Sequence, residues 1–313
     1  MATNEAVDGP QVAESPPIAT TTTKRRRPRI RMHLTSSVLP RVVLIAFAAL
    51  FVVPFYWMFV SALKSNRELT QFPPSLVPGD WVWQNFIDAV NYIPFGLYAL
   101  NSLIITIGIT IGAVLSNTVV AYGFSRIQWP GRNKMFYLCI ATLFLPYPVI
   151  LVALFDIFSK LPSFGPQGAT SWVDTFLPLI VPAFFGNPFY IFLMRQFMLG
   201  IPKELSDAAR VDGASEIQTF WKVILPLTKP AIVVVAIFAA VGAWNEFLLP
   251  LLYLQDSSKY PLAVGLAFYT SQHDVAYNLL MAAACLVVLP IIFVFIFAQR
   301  FFVEGITVGG VKG

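Results

Sequence analysis

The chain has 313 residues, of which 57% are hydrophobic and 12% charged, with a formal net charge of +5. A soluble globular domain is usually about 45–50% apolar and about 25% charged, so this excess does not fit inside one buried core. It lies in long uninterrupted blocks, the pattern of lipid-spanning helices.

Residues 1–23 are polar, with prolines at 10, 16 and 17 and a threonine run at 20–23. They are expected to be disordered. The basic run KRRRPRIR at 24–31 precedes an apolar span that starts near residue 40, so it reads as a juxtamembrane topology or headgroup signal rather than a nucleic-acid arm. No apolar stretch with a cleavage site precedes that span, which is expected to act as a signal anchor. Six spans are predicted near 41–62, 99–123, 135–157, 175–197, 229–251 and 277–300. Each meets the roughly 20 helical residues that a bilayer core requires. Pro54, Pro146, Pro148, Pro178, Pro182, Pro188 and Pro290 fall within or beside them, which predicts kinked helices.

The expected organisation is therefore an all-α integral membrane protein with three parts: a disordered basic segment 1–40, a six-helix domain 41–302 and a tail 303–313. With both termini cytoplasmic, all of the 21 lysines and arginines lie on the cytoplasmic side except Lys64, Arg67, Lys160 and Lys259. That asymmetry predicts the orientation. The outer segment 64–98 is expected to hold a short amphipathic helix and an extended stretch.

The loop 198–228 is more than a connector. Pro202 suits the first turn of a helix, and Lys203 through Val211 continue it. Asp212-Gly213 reads as a turn in which glycine permits positive φ. Ser215 with Gln218 three residues on is a capping-box pattern. Ile217, Phe220, Trp221 and Ile224 recur at the spacing of one helical face. A helix-turn-helix with one apolar face follows. Two readings of that face stand: rest on the membrane interface, or a knob offered to a soluble partner.

Residues 204–226, ELSDAARVDGASEIQTFWKVILP, resemble the EAA loop of bacterial ABC-transporter permeases. The family pattern is Glu-Ala-Ala, three residues, Gly, nine residues, then Ile-x-Leu-Pro. Asp207, Ala208, Ala209, Gly213, Val223, Leu225 and Pro226 stand at its positions, with Asp207 in place of glutamate and Val223 in place of isoleucine. NSLIIT at 101–106, AYGFSR at 121–126, FLMRQF at 192–197, WNEFLLPL at 244–251 and QRFFVEGITVGGVKG at 299–313 extend the resemblance over about 40–313. It is similar to the carbohydrate-importer branch, as in the maltose permease second subunit. What this implies is a permease subunit of an ATP-driven importer for a sugar, a di- or oligosaccharide, that forms half of the translocation pathway. It also implies a second similar permease as heterodimer partner, a cytoplasmic ATPase dimer docked on the loops, and an extracytoplasmic solute-binding protein at a bacterial cell membrane. ATPase coupling would fall to Glu204, Asp207, Ala208, Ala209, Gly213, Leu225 and Pro226. The tail is expected to touch the ATPase dimer, and the outer loop 252–276 the binding protein.

The sequence contains no GxxxxGK[ST], HExxH, CxxC or GxSxG, so no P-loop, catalytic, cofactor-binding or metal-ligating set is assigned. Cys139 and Cys285 read as packing thiols, and His33 and His273 are far apart. Trp244, Asn245 and Glu246 lie inside the fifth predicted span, where a carboxylate costs on the order of 2.5–3.5 kcal/mol. They read either as a gate or part of the translocation path, or as a structural hydrogen bond. A rival class is a self-sufficient secondary transporter that uses Glu246 for proton coupling.

Overall fold

The computed structural model describes residues 34–162, 171–270 and 275–309. The expected disorder of 1–23, the basic run 24–31, both histidines and the last four residues lie outside that set. The chain divides into two units, Met1–Val52 and Val53–Gly313.

The described part of the first unit belongs to helix α1 (Leu34–Ala62). Its Val38–Ala62 stretch has a mean hydropathy of 2.4 and no buried share in its apolar window. An unbroken apolar stretch of that length is built for lipid, while the helix's last residues, Val60, Ser61 and Ala62, are buried.

In the second unit, α2 (Gln84–Tyr92) is the short amphipathic helix expected of the outer segment. It leads through Pro94 into α3 (Phe95–Ser125). At 31 residues and about 1.5 Å per residue, α3 is longer than the roughly 30 Å hydrocarbon core. It is the central post of this unit. The Val181–Phe185 turn, α6 (Pro188–Gly200) and α9 (Lys229–Asn245) all pack against it. Close approach needs small residues on α3: a Cβ at Gly112 would sit 2.6 Å from the Phe184 ring.

The third predicted span is two helices. Between α4 (Arg132–Ala141) and α5 (Tyr147–Lys160) the chain turns by 101°. Leu145 and Pro146 are extended, with ψ of 118° and 127°; Leu145 is so because a residue that precedes proline is pushed out of the helical region. Pro148 follows within the first turn of α5. The proline kinks expected from the sequence are here a full break. The fourth span, Leu177–Gly200, contains a 3₁₀ stretch and Gly186, after which the Asn187 side chain accepts from the amides of Phe189 and Tyr190 and starts α6. Further on come α7 (Lys203–Val211), α8 (Glu216–Thr219), α9, α10 (Leu248–Tyr253) and α11 (Tyr277–Gly309).

Four stretches are long and apolar enough to cross a membrane by themselves, and two bent pairs raise the number to six if each counts as one span. The second pair joins Glu216–Leu227 to α9 at 75°. The described residues hold no named strand, only the isolated bridge Thr270–Val275. The chain is an all-α, multi-pass integral membrane protein.

Candidate functional site

The loop from Ile201 to Thr228 is assembled by short-range chemistry. Pro202 precedes α7, whose nine residues end at Val211. The amide of Gly213 then donates to the Arg210 carbonyl at 3.0 Å, and that of Ala214 to the Ala209 carbonyl at 2.9 Å. These two bonds define a Schellman turn, and it requires Gly213 to take φ +81°. Apart from its chain neighbours, no atom of the described residues lies within 4 Å of where a Gly213 Cβ would be, so a substitution there is penalised by the backbone rather than by crowding. Next, the Ser215 hydroxyl accepts from the Gln218 amide at 3.3 Å, while the Gln218 side chain accepts from the Ser215 amide at 2.9 Å. This is the capping box read from the sequence.

One expectation changes. Phe220 and Ile224 are buried, while Ile217 and Trp221 are 71% and 57% exposed. Residues Phe220–Ile224 form a π-helical turn, and the wider turn together with burial from one side splits the predicted apolar face in two. Val211, at 88% exposure, and Leu205 are also uncovered. The loop thus shows solvent or lipid an apolar surface that none of the described residues covers.

Its charged groups are cross-braced. The Arg210 guanidinium donates to Asp207 at 3.0 Å and to Glu216 at 2.9 Å, linking α7 to α8. The hydrogen bond that Arg210 donates to Glu216, with the carboxylate's charge, pushes the Arg210 pKa above its ordinary value. Glu216 also accepts from the Tyr122 hydroxyl at 2.9 Å, and the Tyr122 ring packs against Phe220 at 4.8 Å. Just beyond α3, Arg126 donates to the carbonyls of Met198 and Ile201. The loop is therefore fastened to the ends of α3 and α6. Tyr122, Arg126, Arg210 and Glu216 were not singled out from the sequence. Tyr122 and Arg126 stand in the AYGFSR stretch, yet no spacing rule links them to partners 72 to 94 residues away.

Of the residues predicted for coupling, Glu204, Asp207, Ala208, Gly213 and Pro226 are exposed, and Ala209 and Leu225 half-buried. Trp244, Asn245 and Glu246 lie at a separate place, where α9 ends. The Trp244 indole donates to the Val287 carbonyl of α11 at 3.1 Å. Asn245 donates back to the Val241 carbonyl at 2.8 Å. The Glu246 carboxylate accepts from the amides of Leu248 and Leu249 at 3.0 and 3.1 Å. It thereby caps α10, and the helical run predicted over 229–251 is interrupted at Glu246.

A family model described as the binding-protein-dependent transport system inner membrane component matches residues 108–308. The chain belongs to that family. This permease is 35% identical over 274 residues to the arabinooligosaccharides transport system permease protein AraQ of Halalkalibacterium halodurans, covering 86% of this chain and 93% of the relative. It is 32% identical to the diacetylchitobiose uptake system permease protein NgcG of Streptomyces coelicolor, over 82% of this chain and 83% of the relative. With the sn-glycerol-3-phosphate transport system permease protein UgpE of Pectobacterium atrosepticum it shares 33% identity, over 81% and 89%. A crystal structure of a bacterial ABC transporter that imports the acidic polysaccharide alginate matches the fold with a TM-score of 0.72 at 21% identity, over 86% of this chain and 96% of that one. As an ABC-transporter permease subunit, this chain is not itself an enzyme, and its family decides against the self-sufficient carrier.

Proposed function

We propose that this permease imports a di- or oligosaccharide as one half of a heterodimeric pathway. A solute-binding protein outside delivers the sugar, and a cytoplasmic ATPase dimer drives transport through the loop 198–228. The observation that supports the coupling role is the loop itself. Two capped short helices joined at Gly213 expose Leu205, Val211, Ile217 and Trp221. Uncovered apolar side chains clustered on a braced scaffold suit a protein partner. Two of the relatives carry oligosaccharide names and one a glycerol phosphate name, which makes the phosphate ester the competitor to test. The crowding of lysine and arginine into one set of loops supports cytoplasmic termini.

In this reading Glu204, Asp207, Ala208 and Ala209 present the docking face of α7, with Asp207 steadied by Arg210. Gly213 sets the angle between the two helices, and Leu225-Pro226 passes the movement to α9 across the 75° bend. The Tyr122–Glu216 and Arg126 bonds carry it to α3 and α6. The break at Trp244-Asn245-Glu246 lets α9 and α10 swing against each other as a gate. Alternating access is then a population shift set by the ATPase.

The decisive variant is Gly213→Trp. A non-glycine residue in a left-handed conformation is strained by roughly 1–2 kcal/mol, and an indole on the exposed turn obstructs docking. Uptake of labelled oligosaccharide and co-purification of the ATPase are both expected to be lost while the chain still inserts in the membrane. Normal uptake with normal ATPase binding would overturn the coupling role.

A further inference from the structure

Residues Lys203, Ser206, Asp207 and Arg210 recur at the i, i+3, i+4, i+7 spacing of one α7 face. With Ser125, the last residue of α3, and Arg126 and Gln128 just past it, they line a cavity of about 160 Å³. A single water needs roughly 10–15 Å³. Three of the lining residues are cations and one is an acid. Arg210 is already answered by Asp207 and Glu216. Arg126 and Lys203 have no carboxylate within ion-pair distance among the described residues.

Two buried polar groups here lack a partner. Ser206 is 5% exposed and Arg126 8%, and among the described residues neither Ser206 Oγ nor Arg126 Nε–H has a hydrogen-bond partner. Arg126 Nη2 donates to both the Met198 and the Ile201 carbonyl, so the guanidinium is fixed in place with its buried Nε–H to spare. Buried polar groups in folded proteins are almost always satisfied, and an orphan needs a reason. A fixed guanidinium N–H, a hydroxyl and an unpaired ammonium at the rim are a set of donors for an oxyanion. The cavity also lies at the end of a membrane-spanning helix, the level of the lipid headgroups.

We propose that this cavity binds a phosphate group, held by Arg126 Nε, Ser206 Oγ and Lys203 Nζ, supplied either by inorganic phosphate or by the headgroup of an anionic phospholipid. The bound group joins the end of α3 to α7 and stiffens the loop's attachment. The site does not depend on the coupling role of the loop, since binding is measured on the purified chain without uptake.

The test uses the full chain in phosphatidylcholine nanodiscs. One arm follows the thermal unfolding midpoint against inorganic phosphate, with chloride at matched ionic strength. The other measures retention of phosphatidylglycerol over phosphatidylcholine by native mass spectrometry. Saturable stabilisation by phosphate identifies the soluble source, and selective retention of phosphatidylglycerol the lipid one. Ser206→Ala and Lys203→Gln, each judged intact by an unchanged midpoint in chloride, are expected to weaken the effect roughly tenfold. The proposal falls if neither probe acts saturably on the unmutated chain, or if both variants bind as it does.

Discussion

The segments at the two ends of α3 are built by opposite strategies, although Tyr122 and Arg126 tie the C-terminal one to α3 and α6 over 72 to 94 positions. At its C-terminal end the loop 201–228 is built from bonds between residues three to six apart: Arg210 to Asp207 and Glu216, Ser215 to Gln218, Gly213 to Arg210. At its N-terminal end, asparagine side chains stitch together segments remote in sequence. Asn101 donates to the carbonyls of Ser258 and Tyr260 at 2.8 and 3.0 Å. Asn85 donates to those of Ala62 and Lys64, both at 2.8 Å, and accepts from Asn278 at 2.9 Å. Asn66 reaches the Val275 carbonyl at 3.0 Å. Locally closed structure can move as a unit, as a part that transmits force must. A surface stitched from distant segments is rigid only when the whole fold is in place. The difference suits a moving end and a fixed end.

The comparison breaks most visibly at Asn85. Replacement by leucine leaves the Ala62 and Lys64 carbonyls without their amide donor at a nearly fully buried position. Each orphaned group costs roughly 1–3 kcal/mol. Asn85→Leu should therefore lower the thermal midpoint of the purified chain by several degrees and loosen the outer segments together, read by protease sensitivity at both 63–92 and 254–270. Cleavage confined to one of them would show that the stitching is not cooperative.

A smaller effect is expected at the local end. Ser215→Ala removes the cap of α8 and costs about 1 kcal/mol. Hydrogen exchange should rise in 214–224 alone, with the outer segments unchanged. Exchange that spreads to α3 would deny the loop its autonomy.

The smallest effect is a pH dependence. Asp174, at φ +63°, accepts from the amides of Gln255 and Asp256 at 2.9 Å and from Lys259 at 2.6 Å. Partial burial acts to raise its pKa, but Lys259 and the two amides outweigh it and hold the carboxyl below its ordinary 3.8. A carboxylate with a depressed pKa lends stability above its unfolded value, and that stability is lost as pH falls through the folded one. Lys259→Met should thus destabilise the chain slightly at pH 7, with the difference from the unmutated chain shrinking below about pH 4. A difference that stays constant from pH 7 to pH 3 would place the contribution of Lys259 in packing rather than charge.

The asymmetry also explains what could be read in advance. Pro202, Gly213 and the Ser215–Gln218 pair act within a few residues, so their pattern named the loop, its turn and its cap. The apolar runs named the membrane spans, because transfer of about 20 residues into lipid depends on composition and length alone. Periodicity placed Ile217 and Trp221 with Phe220 and Ile224 on one face, since a sequence pattern assumes an ideal helix and carries no sign of a π-turn.

Chain order and hydropathy by themselves determined that this protein is helical and membrane-spanning, and the spacing of 207–226 determined its kinship. Three matters were left to tertiary structure. Pro146 and Pro148 turn one apolar run by 101°, which depends on neighbours that accept a break. Glu246 becomes the cap of α10 because α9 stops there, as no rule of spacing requires. Ser206 and Arg126, 80 positions apart in number, meet across one cavity, because packing brings α7 against the end of α3 and burial falls on side chains that the sequence shows only as polar.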